Sequence, residues 1–341
     1  MKKWKFLTAT AVLALSLAAC GTDEESNTES ADTEQTTASE TATDSAFPMK
    51  VASLTGERDD EETGTTTVFE DVTFEAMPER AVVLDIGFLD TLDALGVEGI
   101  VGLAKGGTGL PENLSKYESD EYTSVGTLKE IDLEAVAALE PDAIFISGRQ
   151  TAFYEQLKEI TPNVVFIGSD NENYIDGVKE SIDLAGQIFG KEEKAEELKA
   201  NLDSKVAEVV EKASGYENAL VTMYSDKKLS GFDNGPDSRF AYVYNTFGFN
   251  PATTGIESSS HGSDFSFESI LSVDPEVLLV IDRSGSDVKT LKADIENDII
   301  KKTRAYKEGK IVYLDGTTWY FGSNGATTEI SKIQEILDEL K

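Results

Sequence analysis

The chain has 341 residues, 64 of them acidic against 30 lysines and arginines, for a formal charge of −34. Such an excess excludes nucleic acid as a partner, because phosphates demand a basic face. The single cysteine excludes an internal disulfide and a thiolate metal cluster.

Met1, Lys2, Lys3 and Lys5 precede an apolar run from Ala9 to Ala19. The run is too short for a hydrocarbon core of roughly 30 Å and has the layout of an export signal over residues 1–19. It closes in Leu17-Ala18-Ala19-Cys20-Gly21, which resembles the lipobox at which bacterial signal peptidases cut and acylate the new N-terminal cysteine. A free cysteine is commonly a small buried apolar side chain. A polar tail follows Cys20, however, so the expectation is a lipid there and a mature protein on the outer face of the cytoplasmic membrane, in a Gram-positive type of envelope. Residues 20–65 read as an acidic flexible tether, since Ser, Thr, Glu, Asp and Asn cannot bury enough apolar surface to fold. A second acidic patch, Glu57 to Thr67, reads as a loop or an extension of the first strand.

The remainder suits two lobes at about 150 residues each, expected over 66–190 and 214–341. Short β-branched runs mark buried strands at Ala81–Asp85, Ala143–Ser147 and Val164–Gly168, then at Ala219–Tyr224, Val277–Asp282 and Ile311–Asp315. Alternation of such runs with amphipathic stretches predicts an α/β fold: two similar lobes with largely parallel central sheets and a ligand cleft between them. Between the halves, residues 191–213 place Ala195, Leu198, Leu202, Val206, Val209 and Val210 at helical spacing. That predicts a connecting helix of roughly 33 Å, a strut that permits only modest movement of the lobes.

The halves repeat one plan. Residues 131–142 align with 265–276 at a constant offset of 134. Each copy has a capping residue (Asp132, Ser266), a glutamate in the first helical turn (Glu134, Glu268), an apolar helix and an acid-Pro-acid turn before a buried strand. The same offset sets Arg149 over Arg283 just beyond the strand ends, where ligands of open α/β sheets bind. Arg239 stands in a turn leading into a helix. A guanidinium is permanently charged and offers planar donors suited to oxyanions, so three arginines converging on a cleft would make a site for a trianion. His261, the sole histidine, and Tyr320 carry atoms able to ligate iron, although a lone loop histidine is commonly a solvated residue. Trp319, Tyr320 and Phe321 could instead line the mouth for an aromatic ligand. The helix dipole is a sufficient structural reason for Glu134 and Glu268, while their symmetry suits docking onto two arginine pockets of a symmetric membrane dimer. Ser260, His261 and Asp264 invite an extracellular esterase acting on a siderophore or lipid, but the Gly-x-Ser-x-Gly elbow is missing, and no enzyme is expected.

Over nearly all of residues 66–341 the chain resembles the helical-backbone siderophore-binding lipoproteins of ABC importers, most nearly those that bind petrobactin and other catecholate siderophores. The resemblance lies in residues 83–93, Val125-Gly126-Thr127-Leu128-Lys129-Glu130, Ile146-Ser147-Gly148-Arg149-Gln150, Ser260-His261-Gly262, Val280-Ile281-Asp282-Arg283 and Thr318-Trp319-Tyr320. It implies that Arg149, Arg239 and Arg283 hold an iron-catecholate centre, with Trp319 and Tyr320 beside the ligand. His261 and Tyr320 would enter the metal shell when the siderophore supplies only four donors, and Glu134 and Glu268 would dock on the permease dimer with its ATPase. The iron complex is cargo; no intrinsic cofactor is expected, and a tethered shuttle is expected to act as a monomer. Haem, cobalamin or a ferric hydroxamate on the same scaffold are the alternative ligands. The acidic insertion near Asp59–Glu62 departs from the family pattern at the cleft rim.

Overall fold

A computed structural model describes residues 46–59, 64–107, 109–168, 171 and 173–340. Cys20, the expected signal segment and the tether up to residue 45 lie outside the described residues. Four short strands open the fold: β1 (Met49–Val51), β2 (Glu57–Asp59), β3 (Thr66–Val68) and β4 (Val72–Phe74). β1 pairs antiparallel with β4, and β2 with β3. The tether expected over 20–65 is therefore too long at its C-terminal end. Val51, Phe69, Val72 and Phe74 are buried together, and the surrounding acids had masked that apolar content.

The first lobe carries β5 (Ala81–Val83), β6 (Ile100–Leu103), β7 (Thr123–Ser124), β8 (Ala143–Ile146) and β9 (Val164–Phe166). They form one sheet in the order β7-β6-β5-β8-β9, parallel throughout. Every residue of β5, β8 and β9 is buried, as continuous apolar strands of a doubly covered parallel sheet should be. Helices α1 (Ile86–Leu95), α2 (Leu133–Ala138), α3 (Tyr154–Lys158) and α4 (Tyr174–Ile188) connect and cover them. The long helix α5 (Glu192–Ala213) follows, burying Ala195, Leu202, Val209 and Ala213.

In the second lobe β10 (Ala219–Ser225), β11 (Lys228–Phe232), β12 (Ser263–Asp264), β13 (Val277–Asp282) and β14 (Ile311–Asp315) run in the order β12-β11-β10-β13-β14. Here β10, β13 and β14 are parallel, while β11 and β12 are antiparallel additions. The cause is a tight hairpin: Asp226 and Lys227 both have positive φ, 50° and 66°, the geometry of a two-residue turn whose twist matches its strands. Helices α6 (Ala241–Asn245), α7 (Phe267–Val273), α8 (Val288–Ile295), α9 (Arg304–Lys307) and α10 (Ala326–Glu339) complete the lobe.

The repeat is visible atom by atom. Asp132 accepts from the Ala135 amide and Ser266 from the Ser269 amide, at 2.9 and 3.1 Å, capping α2 and α7. The residues before the two prolines, Glu140 and Asp274, both turn left-handed with φ of 46° and 48°. Asp142 then accepts from the Glu79 and Arg80 amides, and Glu276 from the Glu217 amide, so each turn ties its helix to the strand beside it. One apolar core spans both lobes, from Phe145 and Phe166 to Val221, Ile281 and Trp319. α1 lies so close to the loop before α10 that a Cβ on Gly87 would sit 2.0 Å from the Ser323 carbonyl oxygen.

Candidate functional site

The carboxyl ends of both sheets meet at Tyr320. On the first lobe, β8 runs into the turn Gly148–Phe153. Gln150 locks that turn: its Oε1 accepts from the Ser147 amide at 3.0 Å and its Nε2 donates to the Leu128 carbonyl at 2.7 Å. Arg149 is left to cross the gap, donating from Nη2 to the Tyr320 carbonyl at 3.1 Å. On the second lobe, the Asp282 carboxylate accepts from the Ser284 and Ser286 amides at 3.0 and 2.7 Å, folding the chain around Arg283. Gly316 makes room for this turn, since a Cβ there would meet the Asp282 carbonyl oxygen at 2.0 Å. Arg239, between the buried Ser238 and Phe240, donates from Nε to the Ser260 carbonyl at 3.1 Å.

All three guanidinium carbons surround one ring: Arg239 and Arg283 each lie 4.6 Å from the Tyr320 centroid, and Arg149 lies 6.0 Å from it. A π face attracts a cation, yet one ring cannot neutralise three. Among the described residues no carboxylate forms an ion pair with any of them, whereas Arg304 pairs with Glu217 at 2.6 Å. Burial lowers the pKa of Arg239; Tyr320 opposes that shift and the nearby Arg149 charge reinforces it. The arrangement is a concentrated positive field that an anion would relieve.

His261 follows Ser260, and its amide donates to Ser259 Oγ at 3.2 Å. The loop closes at Gly262, whose φ of 73° and close approach to the Phe232 ring leave no place for a side chain. His261 and Arg283 line one cavity of about 260 Å³ with Met223, Ser225, Lys228, Ser230 and the two acids Asp226 and Asp264, neither of which pairs with Arg283.

Trp319 is placed differently from the expectation. It is fully buried, at 0 % exposure, stacked on Tyr242, and its indole N–H donates to Glu335 Oε2 at 2.7 Å. The reason is the backbone. Residues 317–321 form a wide helical turn closed by the Gly322 amide on the Thr317 carbonyl at 2.9 Å. Consecutive side chains on such a turn leave in different directions, so Tyr320 meets the arginines while Trp319 enters the core. Phe321 remains partly exposed, edge-on to Tyr320 at 5.1 Å. Glu134 and Glu268 are exposed in the first turns of α2 and α7, one on each lobe.

A buried polar cluster behind Arg239 was not anticipated. Lys332 and Glu329, both at 0 % exposure, pair at 2.7 Å, and Tyr174 donates to Glu329 at 2.7 Å. Tyr174, Tyr242 and Trp319 enclose the ammonium at 5.6 to 5.8 Å. The signal was present: Glu329 and Lys332 fall on the face that also carries Ile333 and Ile336.

A model of the periplasmic binding protein family matches residues 82–318. The chain is 40 % identical over 268 residues to the petrobactin-binding protein YclQ of Bacillus subtilis, an overlap of 77 % of this chain and 83 % of that one. The crystal structure of YclQ superposes with a TM-score of 0.73 over 84 % of this chain and 98 % of its own, at 36 % identity. The ferric-anguibactin-binding protein FatB of Vibrio anguillarum is 31 % identical, covering 77 % of this chain and 81 % of FatB. The catecholate-siderophore binding protein VctP of Vibrio cholerae superposes at a TM-score of 0.69 and 30 % identity, over 77 % of this chain and 96 % of VctP. These relatives are binding proteins. No described helix is long and apolar enough to cross a membrane.

Proposed function

The chain belongs to the periplasmic binding protein family, and we propose that this member captures a ferric catecholate siderophore of the petrobactin type outside the cell membrane and delivers it to an ABC permease. The observation that carries the reading is the convergence of Arg149, Arg239 and Arg283 on Tyr320 without a described carboxylate partner. A ferric catecholate carries about three negative charges spread over its oxygens, and each attraction strengthens where water is excluded. Guanidinium groups cannot give up their protons, so they balance that charge without competing for the iron.

In this reading Tyr320 and Phe321 form the aromatic wall beside the ligand, in place of Trp319. His261 and Tyr320 complete the metal shell when the siderophore leaves two positions open; the Tyr320 hydroxyl has no hydrogen-bond partner among the described residues. Glu134 and Glu268 dock the two lobes on a permease dimer that works with its ATPase, and lipid on Cys20 holds the carrier, as a monomer, at the outer membrane face.

The test is one fluorescence titration of the purified protein with ferric petrobactin, a ferric trihydroxamate, haem and cobalamin. The proposal expects ferric petrobactin to bind at least about a hundredfold more tightly than the others, a gap of roughly 2.7 kcal/mol. Equal or tighter binding of a neutral complex would overturn it.

A further inference from the structure

The β2–β3 hairpin takes no part in the site described so far, yet it stands on the same rim. Both of its ends are fixed. Leu54 donates to the Phe166 carbonyl at 2.9 Å, Ser53 Oγ accepts from the Phe166 amide at 3.0 Å, and Thr55 donates to the Gly168 carbonyl at 3.2 Å. After the hairpin, buried Phe69 stacks on Phe166 at 4.2 Å, and the Glu70 amide donates to the Tyr154 hydroxyl at 2.9 Å. The hairpin is thus anchored to β9 and α3 at the carboxyl edge of the first sheet.

Its charges are sorted by the pleat. Side chains alternate between faces along a strand, so Arg58 leaves β2 on the face opposite Glu57 and Asp59. Asp59 turns back to the hairpin, accepting from the Thr66 hydroxyl at 2.6 Å. Arg58 lies on Gly148: a Cβ built on that glycine would come within 3.0 Å of the guanidinium carbon and 3.1 Å of Nη2. Gly148 immediately precedes Arg149. The hairpin therefore brings a fourth guanidinium to the strand end from which Arg149 departs, and no described carboxylate forms an ion pair with it. A guanidinium at that strand end offers charged planar donors to an anion held beside Arg149.

We propose that Arg58 is a specificity-determining residue, a fourth cationic contact that extends the first lobe's side of the site toward the outer oxygens of an anionic iron complex. The inference rests on the reading of the site as a receptor for ferric catecholates. Within β2, the acids Glu57 and Asp59 then share one face and Arg58 takes the face toward Gly148.

The experiment titrates ferric petrobactin and a neutral ferric trihydroxamate against the wild type, Arg58→Gln, Arg58→Lys and Glu57→Gln, with circular dichroism to verify the fold of each. Arg58→Gln should weaken ferric petrobactin about three- to tenfold and leave any trihydroxamate binding unchanged, as expected for loss of one exposed charge contact. Arg58→Lys should retain most of the affinity, and Glu57→Gln, on the opposite face, should stay within about twofold of wild type. Unaltered binding by Arg58→Gln beside a wild type that binds would overturn the role of Arg58 alone. So would equal and opposite shifts in Arg58→Gln and Glu57→Gln, which would reveal a diffuse field and no contact. A wild type that fails to bind ferric petrobactin would remove the reading of the whole site, and this inference with it.

Discussion

Trp319 and Tyr320 are neighbours in the chain and meet opposite surroundings. The indole is sealed in the core against Glu335, whose carboxyl is pushed up by burial to about 7 from an ordinary 4.5, with the Trp319 hydrogen bond working against the shift. A raised folded-state pKa means that the native protein holds a proton the unfolded chain would release. The associated stability is complete below about pH 4.5 and is lost as pH rises through about 7. Urea denaturation should therefore show part of the stability falling away across that window, and Glu335→Gln, which keeps an acceptor for the indole, should flatten this part of the profile. An identical slope in both proteins would contradict the assignment. The sequence Thr-Thr-Trp-Tyr-Phe marks an aromatic cluster but not its facing, because the direction of each ring depends on a hydrogen bond closing five residues on rather than four.

Elements were legible where their chemistry is local. The caps at Asp132 and Ser266, the acid-Pro-acid turns and the buried strands after them follow from short-range rules, and the offset of 134 carried them from one lobe to the other. The antiparallel edge of the second sheet was not legible, since Asp226-Lys227 lacks the glycine that usually marks such a hairpin. Strands β1 and β2 were hidden by the acids around them. At this scale belongs the pair of glutamates that the repeat sets on the two lobes. Both are exposed, and neither carboxylate has a hydrogen bond or ion pair among the described residues. The double variant Glu134→Gln/Glu268→Gln should bind ferric petrobactin within about twofold of wild type but reduce uptake of radiolabelled iron by cells at least about tenfold, as expected when complementary charges at an interface are removed. Normal uptake by the double variant would dismiss the docking role.

Across the molecule, one apolar core and the Tyr174–Glu329–Lys332 cluster join the lobes, with Tyr174 on α4 of the first and Lys332 on α10 of the second. A shared core and the buried hydrogen bond from Tyr174 to Glu329 resist wide opening, because parting the lobes would expose apolar surface and leave the Glu329–Lys332 pair without that partner. The site is thereby largely preformed and holds its positive field in place before any ligand arrives. Its arginines could be read individually as strand-end and turn cations, but their meeting around a single ring depends on how two sheets face each other, which no local rule dictates. The central claim is that these guanidiniums act together on one anion. Titration of ferric petrobactin against Arg283→Ala, with Arg304→Ala as a control for a surface arginine already paired with Glu217, tests it most directly. The account predicts a loss of about tenfold or more for Arg283→Ala and none for Arg304→Ala; wild-type affinity in Arg283→Ala would contradict it.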